Sequence, residues 1–165
     1  MSSVTVVLPD AESTRELGRR LAAALRAGDL VVLTGGLGAG KTTLTQGIGA
    51  GLGVRGQVAS PTFIIARVHE PSGAVGPALV HVDAYRLTSL AEVDALDLDA
   101  SVAESVTVVE WGAGLVEDLA EDRLEVEMVR PRGSQSEEPR RAVLTGVGDR
   151  WFGVDLASIV SEPNA

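Results

Sequence analysis

One lysine, one threonine and four glycines share the segment Gly35-Gly36-Leu37-Gly38-Ala39-Gly40-Lys41-Thr42, which satisfies the phosphate-loop pattern G-x-x-x-x-G-K-[ST] in full. Lys41 is the one lysine in 165 residues; every other long cation is arginine. The arginine fork is planar and rigid, whereas lysine carries a compact point charge on a flexible stem. A loop wrapped around a triphosphate has room for the second. The chain's own Gly, Lys and Ser/Thr frequencies give roughly 0.002 chance matches to the pattern, so accident is a poor rival. Glycines let the backbone N–H groups of Gly38, Ala39, Gly40, Lys41, Thr42 and Thr43 close on phosphate oxygens. The start of the following helix adds its positive end. Lys41 would bridge the β- and γ-phosphates of ATP, and the Thr42 hydroxyl would ligate Mg2+.

The metal then needs an acid held at the end of a buried strand. Glu110 follows the apolar run Val106-Thr107-Val108-Val109, and Asp83 ends Leu79-Val80-His81-Val82. By pattern the two are equally well placed. Thr62, after Ser60-Pro61, stands where a loop hydroxyl could sense the γ-phosphate; an ordinary proline turn is the equal alternative. His81 reads as a hydrogen-bonded core or hairpin residue rather than a base. Arg86 is a surface cation or a charge clamp. Trp111, beside a candidate metal ligand, is a natural optical reporter.

The elements that must position these residues are legible along the chain. Asp29 to Thr34 reads as the buried strand leading into the loop, and Thr42 to Gln46 opens the helix behind it. Gly47, Gly49, Gly51 and Gly53 weaken that helix, at about 1 kcal/mol each against alanine, and should end it by Gly51 or Gly53. Val4 to Leu8 forms a strand. A helix follows, with Ser13-Thr14-Arg15-Glu16 as its capping box and Asp10 as a competing cap. Leu17, Leu21, Ala24 and Leu25 give it an apolar face, and Gly28 is its expected end. Ile64 to His69 and Ala78 to Asp83 should pair as an antiparallel hairpin. Ser89 to Glu92 is a second capping box, and Ala113 to Glu121 suits a helix. Leu124 to Val129 and Arg141 to Thr145 are strands around residues 131–139, which read as a mobile loop. Trp151 to Val160 suits a terminal helix. The whole, 1–165, is expected to be a single P-loop ATPase domain. Its fold class is α/β: a three-layer sandwich with a mixed, mainly parallel central sheet and an antiparallel hairpin.

Composition narrows the setting. A chain of this length can bury roughly 68–70% of its unfolded surface and needs no staples. It has no cysteine, which excludes disulfides, thiolate metal sites and cysteine nucleophiles and fits a cytoplasmic protein. The N-terminal residues do not form a signal peptide, and no apolar run reaches membrane-spanning length. A formal net charge of −9 argues against nonspecific affinity for polyanions, so any RNA should be held by a partner or by a local basic patch.

Taken together, Leu37-Gly38-Ala39-Gly40-Lys41-Thr42-Thr43, Ser60-Pro61-Thr62-Phe63, His81-Val82-Asp83-Ala84-Tyr85-Arg86-Leu87 and Val109-Glu110-Trp111 resemble the TsaE (YjeE) family of small bacterial ATPases. The resemblance spans roughly residues 10 to 112; the last third matches weakly. It implies a part in making N6-threonylcarbamoyladenosine at position 37 of tRNAs that read codons beginning with A. The implied partners are a TsaD–TsaB pair, with tRNA reached indirectly through that complex, and ATP hydrolysis resets the complex between turnovers. It also implies Glu110 as the Mg2+ ligand, direct or through water, and Asp83 as a second acid needed for hydrolysis. Ser60 to Phe63 becomes the switch segment, and residues near Pro9 to Thr14 the adenine side. Gly36 departs from the family, which often has an acid there. Which of Arg132, Arg140 and Arg141 reaches the nucleotide stays open. The rival readings are a small-molecule kinase with the same loop, for which residues 131–141 are the only candidate lid, and a nucleotide-gated binding module with negligible turnover.

Overall fold

A computed structural model describes residues 2–35, 40–54, 66–69, 77–83, 105–110, 122–129 and 140–160. Among these residues seven strands form one sheet: β1 (Ser2–Leu8), β2 (Leu30–Gly35), β3 (Ala66–His69), β4 (Ala78–Asp83), β5 (Ser105–Glu110), β6 (Arg123–Val129) and β7 (Arg140–Val147), in the spatial order β1-β7-β6-β2-β5-β4-β3. The four central strands, β6-β2-β5-β4, run parallel. Antiparallel pairs flank them: the expected hairpin of β3 with β4 at one edge, and β6-β7-β1 at the other.

Composition explains the split. β5 is buried at all six positions and β2 at its first four, as continuous β-branched and aliphatic runs require in a parallel sheet covered on both faces. β6 and β7 alternate instead, with one face in the core and the other turned toward water. Val31 and Leu33 of β2, Val106 and Val108 of β5, Leu124, Val126 and Met128 of β6, and Ala142 and Leu144 of β7 make one apolar layer. The helices cover it.

The first helix, α1 (Ala11–Ala24), presents Leu17 and Leu21 to this layer, and α2 (Lys41–Leu52) adds Leu44 and Ile48. Burying each such side chain contributes about 1.5–3 kcal/mol. The glycines of α2 have a packing role. A Cβ on Gly47 would strike the carbonyl oxygen of Arg15, and one on Gly18 would strike that of Leu44. The two helices therefore cross backbone against backbone, a contact that offsets the low helix propensity. α2 ends at Gly53, as expected.

Three expectations need correction. Asp10, not Ser13, caps α1: its carboxylate accepts from the Ser13 N–H at 2.7 Å and the Ser13 hydroxyl at 2.8 Å. That places Thr14 inside the helix, buried, with its hydroxyl donating to the Asp10 carbonyl. Gly28 does not end α1. The helix stops at Ala24, and Gly28 instead takes a left-handed turn (φ 96°) whose N–H donates to Ser105 O, tying the connection to the start of β5. The terminal segment is not one helix. It is a 3-10 turn, Asp149–Trp151, followed by a short α3, Leu156–Val160. The second capping box, the helix expected from Ala113 and the loop 131–139 lie outside the described residues. Among the described residues, no helix is long and apolar enough to cross a membrane.

Candidate functional site

β2 delivers the chain to the carboxyl end of the parallel strands. Later strands lie on both sides of it, β5 on one and β6 on the other. Such a switch in chain order opens a crevice beyond the strand ends, where ligands bind in open α/β sheets. α2 rises from this point. Gly40, its N-cap, has φ 107°, a conformation a side chain would strain. The helix start has no side-chain cap and no acid in its first turn, so its positive end meets no carboxylate from its own sequence. Lys41 opens the helix almost fully buried, and its Nζ donates to Gly35 O at 2.8 Å. The ammonium thus lies against the end of β2, joining the two ends of the loop. Thr43, in the first turn, is half-buried. A Cβ built on Gly40 would stand 3.7 Å from Thr14 Cγ2 and 3.4 Å from Met128 Cε. Thr14, from the stretch assigned to the adenine side, therefore lies beside the loop.

Glu110 closes β5 and is only 4% exposed. Its Oε1 accepts from the Thr42 hydroxyl at 3.5 Å, and its Oε2 lies 2.5 Å from His81 Nε2. The strand register sets Asp83 directly beside Glu110 and His81 beside Val108. Thus the loop's hydroxyl and one candidate acid meet, and the backbone of the second acid is paired with the first on the neighbouring strand. The donor set suits a hard cation. Mg2+ takes one or two protein oxygens and completes its shell with phosphates and water, and Thr42 Oγ1 and Glu110 Oε1 are two such oxygens on adjacent elements. Among the described residues there is no cluster of three or more His, Cys, Asp or Glu able to hold a metal unaided.

Of the two β7 arginines, Arg140 shares the helix-covered face with Ala142 and Leu144, whereas Arg141 alternates to the opposite face and is exposed. Gly36, Gly38, Ala39, Thr62 with the Ser60–Phe63 segment, Tyr85, Arg86, Trp111 and Arg132 lie outside the described residues. Pattern reading left His81 as a hydrogen-bonded core or hairpin residue; the structure buries it in the core and supplies the partner that the reading missed. The available signal was its even spacing from Asp83, which puts both on one face of β4.

The family model described as "Threonylcarbamoyl adenosine biosynthesis protein TsaE" matches residues 8–141. The chain belongs to the TsaE family. A Streptomyces coelicolor protein named "tRNA threonylcarbamoyladenosine biosynthesis protein TsaE" is 62% identical over 144 residues, spanning 87% of this chain and 97% of the relative. A Mycobacterium leprae protein of the same name is 49% identical over 140 residues, 81% of this chain and 87% of its own. The crystal structure of Bacillus subtilis YdiB superposes with a TM-score of 0.71 at 29% identity, over 92% of this chain and 90% of that one. TsaE membership thus extends beyond the segment that carries the motifs, since the family match runs to Arg141 in β7.

Proposed function

We propose that this protein binds ATP with Mg2+ at the start of α2 and hydrolyses it to ADP and phosphate. Its role is to serve a TsaD–TsaB complex that makes N6-threonylcarbamoyladenosine at position 37 of tRNA over many turnovers. The observation that carries the site reading is the meeting of Thr42 Oγ1 and Glu110 Oε1 at 3.5 Å, beside an uncapped helix start. The names of the family and of the relatives above support the pathway.

In this reading the backbone N–H groups of Gly38, Ala39, Gly40, Lys41, Thr42 and Thr43 hold the phosphates. Lys41 leaves the Gly35 carbonyl and turns to the β- and γ-oxygens. Thr42 and Glu110 would hold Mg2+, which when bound neutralises charge on the β- and γ-oxygens. Asp83, paired with Glu110 on the adjacent strand, is the second acid needed for hydrolysis, and Thr62 senses the γ-phosphate. The buried floor of β2 and β5 excludes water from beneath the site and strengthens every charge interaction there. We read the chain as one domain, because its first strand and its last lie side by side in the same sheet.

Reconstitution tests the function: threonylcarbamoyl transfer by TsaD, TsaB and tRNA, followed over many cycles. Adding this protein should sustain the cycles and raise ATP consumption. Transfer that continues equally without it would overturn the role. Lys41→Ala should lower ATP affinity by roughly 100-fold or more, about 2.7 kcal/mol, in calorimetric titration. Retained micromolar affinity would remove the phosphate loop from the reading.

A further inference from the structure

His81 is fully buried in the middle of β4. Its strand neighbours Leu79, Val80 and Val82 are apolar and equally buried, so an aliphatic residue would be the default at this position. The register sets His81 against Val108, yet the imidazole reaches forward along the sheet to Glu110, with Nε2 2.5 Å from Oε2. In the ionised form that would hold a cation a carboxylate only accepts, so in that form the bond is donated by Nε2–H. Nδ1 is buried without a hydrogen-bond partner among the described residues. A ring proton placed there would be a buried N–H with no acceptor among the described residues, which favours the Nε2–H tautomer.

We propose that His81 is a positioning residue for Glu110. By occupying Oε2, the imidazole fixes the carboxylate rotamer and leaves Oε1 as the oxygen turned toward Thr42. Without it the carboxylate could rotate, and either oxygen could fall back into the core. The inference rests on the reading of Thr42 and Glu110 as the Mg2+-holding pair, but it makes a separate claim: an imidazole two register positions behind Glu110 sets the acid's orientation. Hydrogen-bonded support of this kind typically changes metal affinity by about 10–100-fold when removed.

The test uses the intact chain and ADP as probe, titrated in EDTA and again in Mg2+. The ratio of the two affinities is the metal-dependent gain. His81→Leu removes the donor, while His81→Gln keeps an amide N–H near the place of Nε2. His81→Leu should lose about 10-fold or more of the gain with its EDTA affinity unchanged, and His81→Gln should retain most of it. Nitrogen-15 NMR of the nucleotide-free wild type should show the His81 proton on Nε2. This readout holds even if His81→Leu fails to fold, and a ring with its proton on Nδ1 and none on Nε2 would overturn the proposal. So would an undiminished gain in folded His81→Leu. A wild type with no metal-dependent gain would instead bring down the Mg2+ reading itself.

Discussion

Among the described residues two carboxylates are buried, at opposite ends of the sheet, and they are treated differently. Asp29, where the chain enters β2, is saturated by fixed donors. Arg150 Nε and Nη2 each lie 3.0 Å from one of its oxygens, and the Arg26 N–H adds a bond of 2.8 Å. The same guanidinium donates to Ala24 O at 2.7 Å and stacks over Trp151, 4.4 Å from the ring centroid. Glu110, at the exit end of β5, has His81 on one oxygen and, at the limit of hydrogen-bond reach, the Thr42 hydroxyl on the other. Both acids are about equally buried. Burial alone therefore does not distinguish them; the spare lone pairs do. An acid fully matched by a forked guanidinium closes a fold. One left with unused acceptor capacity, beside a helix start that lacks a counter-charge, has room for a cation and an anion.

The largest effect should come from the saturated end. Arg150→Ala strands the Asp29 charge in the interior, and breaking a buried pair in this way typically costs about 3–5 kcal/mol. Denaturant unfolding should show that loss. Below the lowered melting temperature, Mg·ADP affinity should stay within about 3-fold of wild type, since the two ends share no hydrogen bond. If affinity collapses along with stability, the ends are coupled and the contrast fails.

The unsaturated end should behave in the opposite way. Glu110→Gln keeps shape and an acceptor for His81 but removes the charge. Stability should change by less than about 1 kcal/mol, while ATP turnover falls roughly 100-fold. A melting curve and a phosphate-release assay on the same preparation decide this. A variant destabilised as severely as Arg150→Ala would make Glu110 a structural acid like Asp29.

Much of the exit end was legible beforehand because its signals are local. Lys41 and Thr42 belong to an eight-residue motif, β4 begins and ends at the expected Ala78 and Asp83, and Glu110 closes an apolar run. The Asp29–Arg150 pair was not legible. Its members are 121 residues apart, and neither sits in a pattern that names the other. The His81–Glu110 bond was hidden for a similar reason, since it depends on β4 lying next to β5 in a particular register. The glycines of α2 were read through propensity alone, and only the crossing of α1 shows what fills the space left by each missing Cβ. Asp10 rather than Ser13 is the cap because its carboxylate takes both the Ser13 N–H and the Ser13 hydroxyl, which makes Ser13 a capped residue of the first turn.

The same contrast recurs, more weakly, at the two helix starts. α1 is closed by its own Asp10, whereas α2 begins at Gly40 with no side-chain cap. The Asp10 carboxyl is held below its ordinary value, chiefly by the Ser13 backbone N–H and then by the Ser13 hydroxyl. A depressed folded-state value means that the charged form is favoured by folding. Its contribution is complete above the unfolded value, near 3.8, and is lost as pH falls through the lower folded value. Asp10→Asn retains an acceptor for Ser13 but has no charge to lose. Melting temperatures of wild type and Asp10→Asn should therefore differ slightly at pH 6 and converge as the buffer is taken below pH 4, about where the unfolded carboxyl titrates. A gap that stays constant across that range would mean that the charge contributes nothing and that α1 is closed by cap geometry alone.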